Sequence, residues 1–383
     1  MRLLKDQDLR GKNVVLRLDL NVPIQDQRVA DSTRILSSVP TIKYLIDKNC
    51  KVLLTSHLGR PEEGKFDINF SMRPVAEKLS EVLEFKIDLI NSLDSNDIFN
   101  TSQVQLLENL RFLVGEKGNN EELGFQLANL GDAYIFDAFG TAHRKQASTY
   151  SAIKMAKISC AGMLLEKEVN SLNKALTSIE NPFIAIVAGS KISTKLELIS
   201  HLNTKADSII VGGGIANTFL KSQGFNVGKS LVENDMIDIA KKLFLSGKIL
   251  LPKEVVVADS IDSLSSEIKA IDSVDDKDKI FDMNLSDDML NVIETSKTIL
   301  WNGPIGVFEK KPFQKGTIDL AQSIAKSKAF SLAGGGETIA AINKFIDKDD
   351  VSYCSTGGGA FLEFMEGKTL PSISALNAKN TER

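Results

Sequence analysis

Apolar residues along the chain come in two rhythms. Short runs rich in valine, isoleucine and leucine (NVVLRLDL, KVLLTSHL, QVQLLENL, AYIFDAFG, then FIAIVAG, SIIVGGG, TILWNGP, AFSLAGGG) alternate with longer stretches whose apolar positions recur every three to four residues. A short continuous apolar run suits a strand buried on both faces, and the three-to-four spacing places apolar side chains on one side of a helix. Strand, helix, strand repeated in this way predicts parallel sheet. Among the helices, the spacing predicts core-facing segments over 75–83, 237–245 and 318–324.

The residues that follow the strands change character near position 165. Before it, the loops carry cations: Arg34 downstream of RLDLNVP, His57 and Arg60 in SHLGRP, Arg111 in LENLRF, and His143 and Arg144 in GTAHR. After it they carry glycine: AGSK at 188–191, GGG at 212–214, WNGP at 301–304, and GGG at 334–336 and 357–359. Ligands on parallel sheets bind beyond the carboxyl ends of the strands, so each half should offer one binding face made of these loops. Four loops delivering cations to one sheet edge repel one another unless an anion joins them, which points to a small polyanion. Glycine triplets at helix N-termini let backbone N–H groups approach phosphate, which points to a nucleotide.

Two motifs qualify that reading. No triplet completes GxGxxG, because Asn217, Ile339 and Leu362 stand at the last glycine position, so a dinucleotide fold is not supported. GFNVGKS at 224–230 has one residue too few for a phosphate loop and reads as a surface turn. SKISTKLEL is more promising, since Lys191 and Lys195 stand four apart at the start of a predicted helix and should share a face beside the glycine loop.

Composition narrows the class. The 383 residues, 43% hydrophobic and 25% charged with no long apolar run, fit a globular chain of two domains and no membrane span. With 46 Lys+Arg against 50 Asp+Glu, nucleic acid is not the expected partner, and any anion site must be a local cluster. Cys50, Cys160 and Cys354 form no CxxC or metal spacing, so neither a disulfide framework nor a zinc site is expected and a reducing cytoplasm is the natural compartment. Charges in MRLLKDQDLRGKNVVL interrupt any signal-peptide core, so secretion is not expected.

RLDLNVP, SHLGRP, LENLRF, DAFGTAHR, AGSKISTKLEL, GGGIANTFL, WNGPIGVFE, GGGETIAAI and STGGGAFLE, in this order from residue 17 to 363, together resemble the phosphoglycerate kinase family. The resemblance implies an α/β architecture of two doubly wound, Rossmann-like parallel-sheet domains that face each other across a cleft. A hinge helix beginning near 165–168 would join a triose-phosphate domain (1–165, plus a returning segment 370–383) to a nucleotide domain (166–369). It implies reversible phosphoryl transfer from 1,3-bisphosphoglycerate to MgADP, giving 3-phosphoglycerate and MgATP, by a cytoplasmic monomer that closes about its hinge.

Carried over motif by motif, the resemblance gives Asp19, Asn21, Arg34, His57, Arg60, Arg111 and Arg144 to the triose carboxylate and its remote phosphate. Lys191, Lys195, Gly212, Gly213, Asn302, Pro304, Val307, Glu309, Gly334, Gly335, Gly336, Thr338, Gly357, Gly358 and Gly359 fall on the nucleotide side, with Glu309 on the ribose and Glu337 toward Mg²⁺. Arg34 and Lys195 would stabilise the phosphoryl group in flight. Three positions depart from the commoner pattern: Glu337 stands for Asp, Tyr353-Cys354 for a His-Val pair, and Ser190 for Ala. A nicotinamide dehydrogenase would share the fold class, and a non-catalytic nucleotide or sugar-phosphate sensor would share the binding residues.

Overall fold

The computed structural model describes residues 1–381. The chain divides into two compact units, Met1–Asn170 joined by the chain from Thr369 onward, and Ser171–Lys368. The division falls within the helix Met163–Leu176. Of the segment expected to return over 370–383, residues 382 and 383 lie outside the described residues.

The first unit is built on a six-stranded parallel sheet in the spatial order Asp88–Ile90, Val104–Leu107, Lys51–Thr55, Asn13–Leu18, Ala133–Asp137, Ser159–Ala161. The four strands expected in this half are its central ones. Each is an almost unbroken apolar run because helices cover both faces, and every fully buried Val, Leu or Ile contributes ~1.5–3 kcal/mol over its exposed state. The two edge strands are three residues each, too short to carry a pattern. The helix Arg73–Leu83 confirms the spacing over 75–83, and its N-terminus is fixed by the buried Glu108, which accepts from Met72 N at 2.6 Å and Ser71 Oγ at 2.7 Å. The helix Pro371–Thr381 packs into this unit, with Ser372 Oγ donating to the Thr149 carbonyl at 2.6 Å. Asp137, at the end of its strand, receives Leu165 N at 2.8 Å and so anchors the start of the helix Met163–Leu176.

The second unit holds a six-stranded parallel sheet ordered Ile249–Leu250, Ser208–Gly212, Phe183–Ala188, Thr298–Asn302, Phe330–Gly334, Tyr353–Ser355. Numbered within the sheet in chain order this is 3-2-1-4-5-6, the doubly wound order whose crevice opens where the winding reverses. The helices Ile237–Phe244 and Lys315–Lys326 account for the spacing over 237–245 and 318–324. An antiparallel sheet the apolar rhythm did not announce, Glu267–Ala270, Glu254–Ala258 and Lys279–Met283, packs its own small core around Val255, Val257, Leu220 and Ile271. Lys279–Met283 mixes charged and apolar residues without strict alternation and Glu267–Ala270 is only four residues long, which hides both from pattern reading.

Candidate functional site

In the first unit, loops after four strands bring their cations to one sheet edge. A polar scaffold sets their positions. Asn109 accepts from Leu58 N at 3.2 Å and Arg111 N at 3.0 Å, and donates to the Leu58 carbonyl at 2.7 Å, tying the His57–Arg60 loop to the turn that presents Arg111. Asn21 Oδ1 accepts from Gly59 N at 2.9 Å, and Arg111 Nη1 donates to the Gly59 carbonyl. Asp19 pairs with Arg34 at 2.7 Å, so Asp19 and Asn21 serve in this structure to orient cations and a loop.

The electrostatics record the crowding. Burial and then the neighbouring Arg144 and Arg17 push Arg111 down to about 10, so it stays cationic but is destabilised as one. Arg144 is lowered first by burial, although Asp19 partly offsets this. His57 is lowered well below the usual histidine range by burial, then by Arg17, Arg111, Arg144 and Arg34, so it is neutral at physiological pH. Arg60 is exposed but close enough for its charge to act on Arg111 and Arg144. The five arginines Arg17, Arg34, Arg60, Arg111 and Arg144 therefore form one field, and Nε of Arg111 is buried without a partner. Arg17 escaped the sequence reading because it lies within a strand and not in a loop; an arginine interrupting the apolar run Val14–Leu18 was the available signal.

In the second unit a cavity of about 460 Å³, ample for a nucleotide, lies where the doubly wound order predicts. Gly189, Ser190, Gly213 and Gly214 form one wall, Pro304, Gly306, Val307 and Glu309 another, and Glu337 borders it. Lys229, Ser230, Leu231, Ile261 and the strand residues Lys279, Ile280 and Phe281 complete it, and none of these was expected. The segment 224–230 is a turn as expected, but its last two residues line the cavity and so are not merely surface. Gly228, at φ +54°, sits so close to the Asp278 carbonyl that a Cβ would lie 2.4 Å from it.

The glycine loops divide by role. A Cβ on Gly212 would meet Ile305 at 2.7 Å, one on Gly213 the Gly189 carbonyl at 2.8 Å, and one on Gly334 the Phe361 ring at 2.6 Å, so these glycines let backbones pack together. Gly213 N and Ile215 N already donate to the Ile305 and Gly189 carbonyls. Gly336 and Gly358, in contrast, open onto space with nothing within 4 Å. Gly335 leads into the helix Gly336–Phe345, and Gly357–Gly359 into the helix Gly359–Met365; neither triplet lines the cavity beyond Glu337.

Lys191 and Lys195 do not share a helix face, which corrects the expectation. Residues 191–195 form an irregular turn pinned by the buried Ile192, and the helix begins only at Leu196 with Lys195 as its N-cap. Lys191 stays exposed, and its charge acts on Glu233, whose carboxylate also receives Ser193 N and Oγ at 2.9 and 2.6 Å. Lys195 instead donates to Asn302 Oδ1. Asn302 Nδ2 in turn donates to the Gly334 carbonyl at 2.6 Å, and Thr338 Oγ1 receives Gly303 N at 2.8 Å, so Lys195, Asn302, Gly334 and Thr338 form one hydrogen-bonded knot. Burial lowers the Lys195 ammonium, against the raising influence of Glu337 and Glu366.

No group of three or more His, Cys, Asp and Glu residues among the described residues is placed to hold a metal by itself. The exposed Glu337 carboxylate on the cavity border fits an ion such as Mg²⁺, which binds through one or two carboxylates and otherwise through phosphate oxygens and water. Among those residues no helix is long and apolar enough to cross a membrane, and Cys50, Cys160 and Cys354 are not joined in disulfides.

Two doubly wound units, one with a cationic basket for a small polyanion and the other with a nucleotide-sized, glycine-walled cavity, have the plan of a phosphotransferase. The sequence model of the phosphoglycerate kinase family matches residues 4–368. A phosphoglycerate kinase of Vibrio campbellii is 48% identical over 377 residues, covering 98% of each chain. The solved phosphoglycerate kinase of Coxiella burnetii superposes with a TM-score of 0.93 at 45% identity, covering 99% of this chain and all of that one. The Pyrococcus horikoshii phosphoglycerate kinase gives 0.84 at 30% identity with both chains covered in full. The chain belongs to the phosphoglycerate kinase family, and is a kinase.

Proposed function

We propose that the chain moves a phosphoryl group reversibly between the acyl phosphate of 1,3-bisphosphoglycerate and ADP, with the first unit binding the triose and the second the nucleotide. The observation that carries this reading is the family match across nearly the whole chain, with cations at every motif position where a phosphorylated carboxylate needs them. An acyl phosphate is already activated, so no protein nucleophile is required and catalysis reduces to positioning and charge neutralisation.

In this reading Arg60, Arg111, Arg144 and His57 hold the triose carboxylate and remote phosphate. Arg34 exchanges its Asp19 partner for the reacting phosphoryl oxygens, and Lys195, held by Asn302, meets them from the nucleotide side. Arg111 and Arg144, destabilised as cations by burial and mutual repulsion, regain favourable surroundings when an anion enters. Glu337 would hold Mg²⁺, which supplies neutralisation of nucleotide phosphate charge when bound. Glu309, on the cavity wall near Pro304 and Val307, would take the ribose hydroxyls. Transfer requires reacting atoms within ~3–3.5 Å, which the hinge closure implied by the family resemblance would supply. Work as a cytoplasmic monomer belongs to the same reading. The test is ATP formation from ADP, Mg²⁺ and 1,3-bisphosphoglycerate in a coupled assay; absence of turnover in protein that binds both ligands would refute it.

A further inference from the structure

His57 is caught between two guanidinium groups. Arg17 Nη2 lies 3.4 Å from its Nδ1, and Arg144 Nη1 lies 3.4 Å from its Nε2. Guanidinium nitrogens only donate, and a neutral imidazole has one ring nitrogen that accepts and one that carries a proton. One of the two contacts is therefore a hydrogen bond and the other sets donor against donor.

The surroundings decide which is which. Arg17 is fully buried and locked: its Nε donates to Ser148 Oγ at 2.9 Å and its Nη1 to the Leu18 carbonyl. Ser148 is fixed in turn, because its N donates to Glu116 Oε2 at 2.9 Å, its hydroxyl to Glu116 Oε1, and its carbonyl accepts from Tyr134 at 2.6 Å. Glu116 is itself buried; burial raises its carboxyl above the usual range, against the lowering pull of Arg17 and the Ser148 bonds. Arg144 sits at the half-buried rim. The cations facing His57 from the surrounding elements are Arg17, Arg34, Arg111 and Arg144, so nothing nearby favours a second proton on the ring.

We infer that Arg17 is a positioning residue that fixes His57 with Nδ1 as acceptor and the proton on Nε2, so that Nε2–H and Arg144 Nη1 together form a two-pronged donor for one anionic oxygen. An oxygen can reach ordinary hydrogen-bond distance from two nitrogens spaced this way, and it removes the donor–donor conflict that exists without it. The basket thus discriminates: a ligand group that offers a lone pair relieves the conflict, and one that offers a hydrogen aggravates it. This rests on the reading of the basket as the triose site. Arg17 acts through His57 without touching the ligand.

The protein contains three histidines, so ¹⁵N-histidine NMR resolves them individually. His57 should show the Nε2–H tautomer in the ligand-free protein and stay neutral through the range where an ordinary histidine titrates, and 3-phosphoglycerate should shift its Nε2 proton downfield. Removing Arg17 alone would strand Glu116, so Arg17→Met is combined with Glu116→Gln. The double variant should lose the fixed tautomer and raise KM for 3-phosphoglycerate about tenfold or more with a smaller change in kcat, the size expected for one charge-assisted hydrogen bond. An Nδ1–H tautomer in the unmodified protein, or a double variant with tautomer and KM unchanged, overturns the inference. An Nε2–H tautomer that 3-phosphoglycerate leaves unshifted overturns instead the assignment of the basket to the triose, and with it the fork's proposed purpose.

Discussion

Replacing Asp282 by asparagine should flatten the pH dependence of stability of the nucleotide-cavity unit. Asp282 is buried on the strand Lys279–Met283, where Oδ2 accepts from Gly316 N at 2.8 Å and Oδ1 has no partner. There is room for it only because Gly306 and Gly316 lack side chains: a Cβ on either would come within 2.0 and 2.5 Å of Oδ1. Burial pushes the carboxyl from 3.8 up to about 7, with Asp319 adding to the rise while the Gly316 and Met283 amides and Lys315 oppose it.

A carboxyl raised in the folded state binds its proton more tightly there than in the unfolded chain. Its stabilising contribution is intact below about pH 4 and is lost as pH climbs through about 7. At about 1.4 kcal/mol per tenfold change in proton affinity, the rise from 3.8 to about 7 is worth ~4 kcal/mol at most, since water entry and relaxation around the ionised group relieve part of it. Trp301 is the only tryptophan and is buried in this unit, so its fluorescence during urea unfolding reports the right region. Wild-type stability should fall by up to ~2–3 kcal/mol between pH 5 and 8, and Asp282→Asn should lose most of that slope. Equal slopes in the two proteins would refute a proton held on Asp282 near neutrality.

Arg34→Ala should lower turnover by two to three orders of magnitude, the ~3–4 kcal/mol typical of a preorganised charge removed from a transition state, whereas Arg60→Ala should chiefly raise KM for the triose in the same coupled assay. Lys195→Ala should slow the chemical step with ADP affinity nearly intact by calorimetry; it should also cost this unit ~1–3 kcal/mol, read from Trp301, by leaving Asn302 Oδ1 unpaired in a buried knot. Glu337→Gln should raise the Mg²⁺ needed for half-maximal rate without changing the melting temperature, and a magnesium titration that matches wild type would remove Glu337 from metal binding.

The central strands were legible because a strand covered on both faces must be apolar throughout, and Val14–Leu16 or Phe183–Ala188 admit few other readings. The cations were legible for a related reason: Arg34, Arg60, Arg111 and Arg144 all follow apolar runs, and the position relative to the strand fixes where the loop must emerge. What failed was local geometry. The four-residue spacing of Lys191 and Lys195 fits a helix, but the burial of Ile192 and the Ser193–Glu233 bonds hold this stretch as a turn. Those partners lie about forty residues away, beyond the reach of any periodicity. The link between Arg17 and Glu116 was hidden similarly, since it runs through the buried Ser148 and neighbours in sequence do not reveal it.

The glycines pose a deeper form of the same problem, because three GGG triplets look identical in sequence and do unlike work. Gly212, Gly213 and Gly334 are required by the approach of Ile305, the Gly189 carbonyl and Phe361, contacts that hold the sheet ends together with no ligand involved. At Gly336 a side chain would meet no protein atom, so packing does not demand glycine there. Loss of a packing glycine is felt first as instability and only through it as lost activity, whereas a side chain at an open glycine should leave the fold intact, so lost nucleotide affinity there would report a ligand and not packing. The motif marks where phosphate could come close; the space around each Cα decides which of its glycines packing demands and which it leaves open.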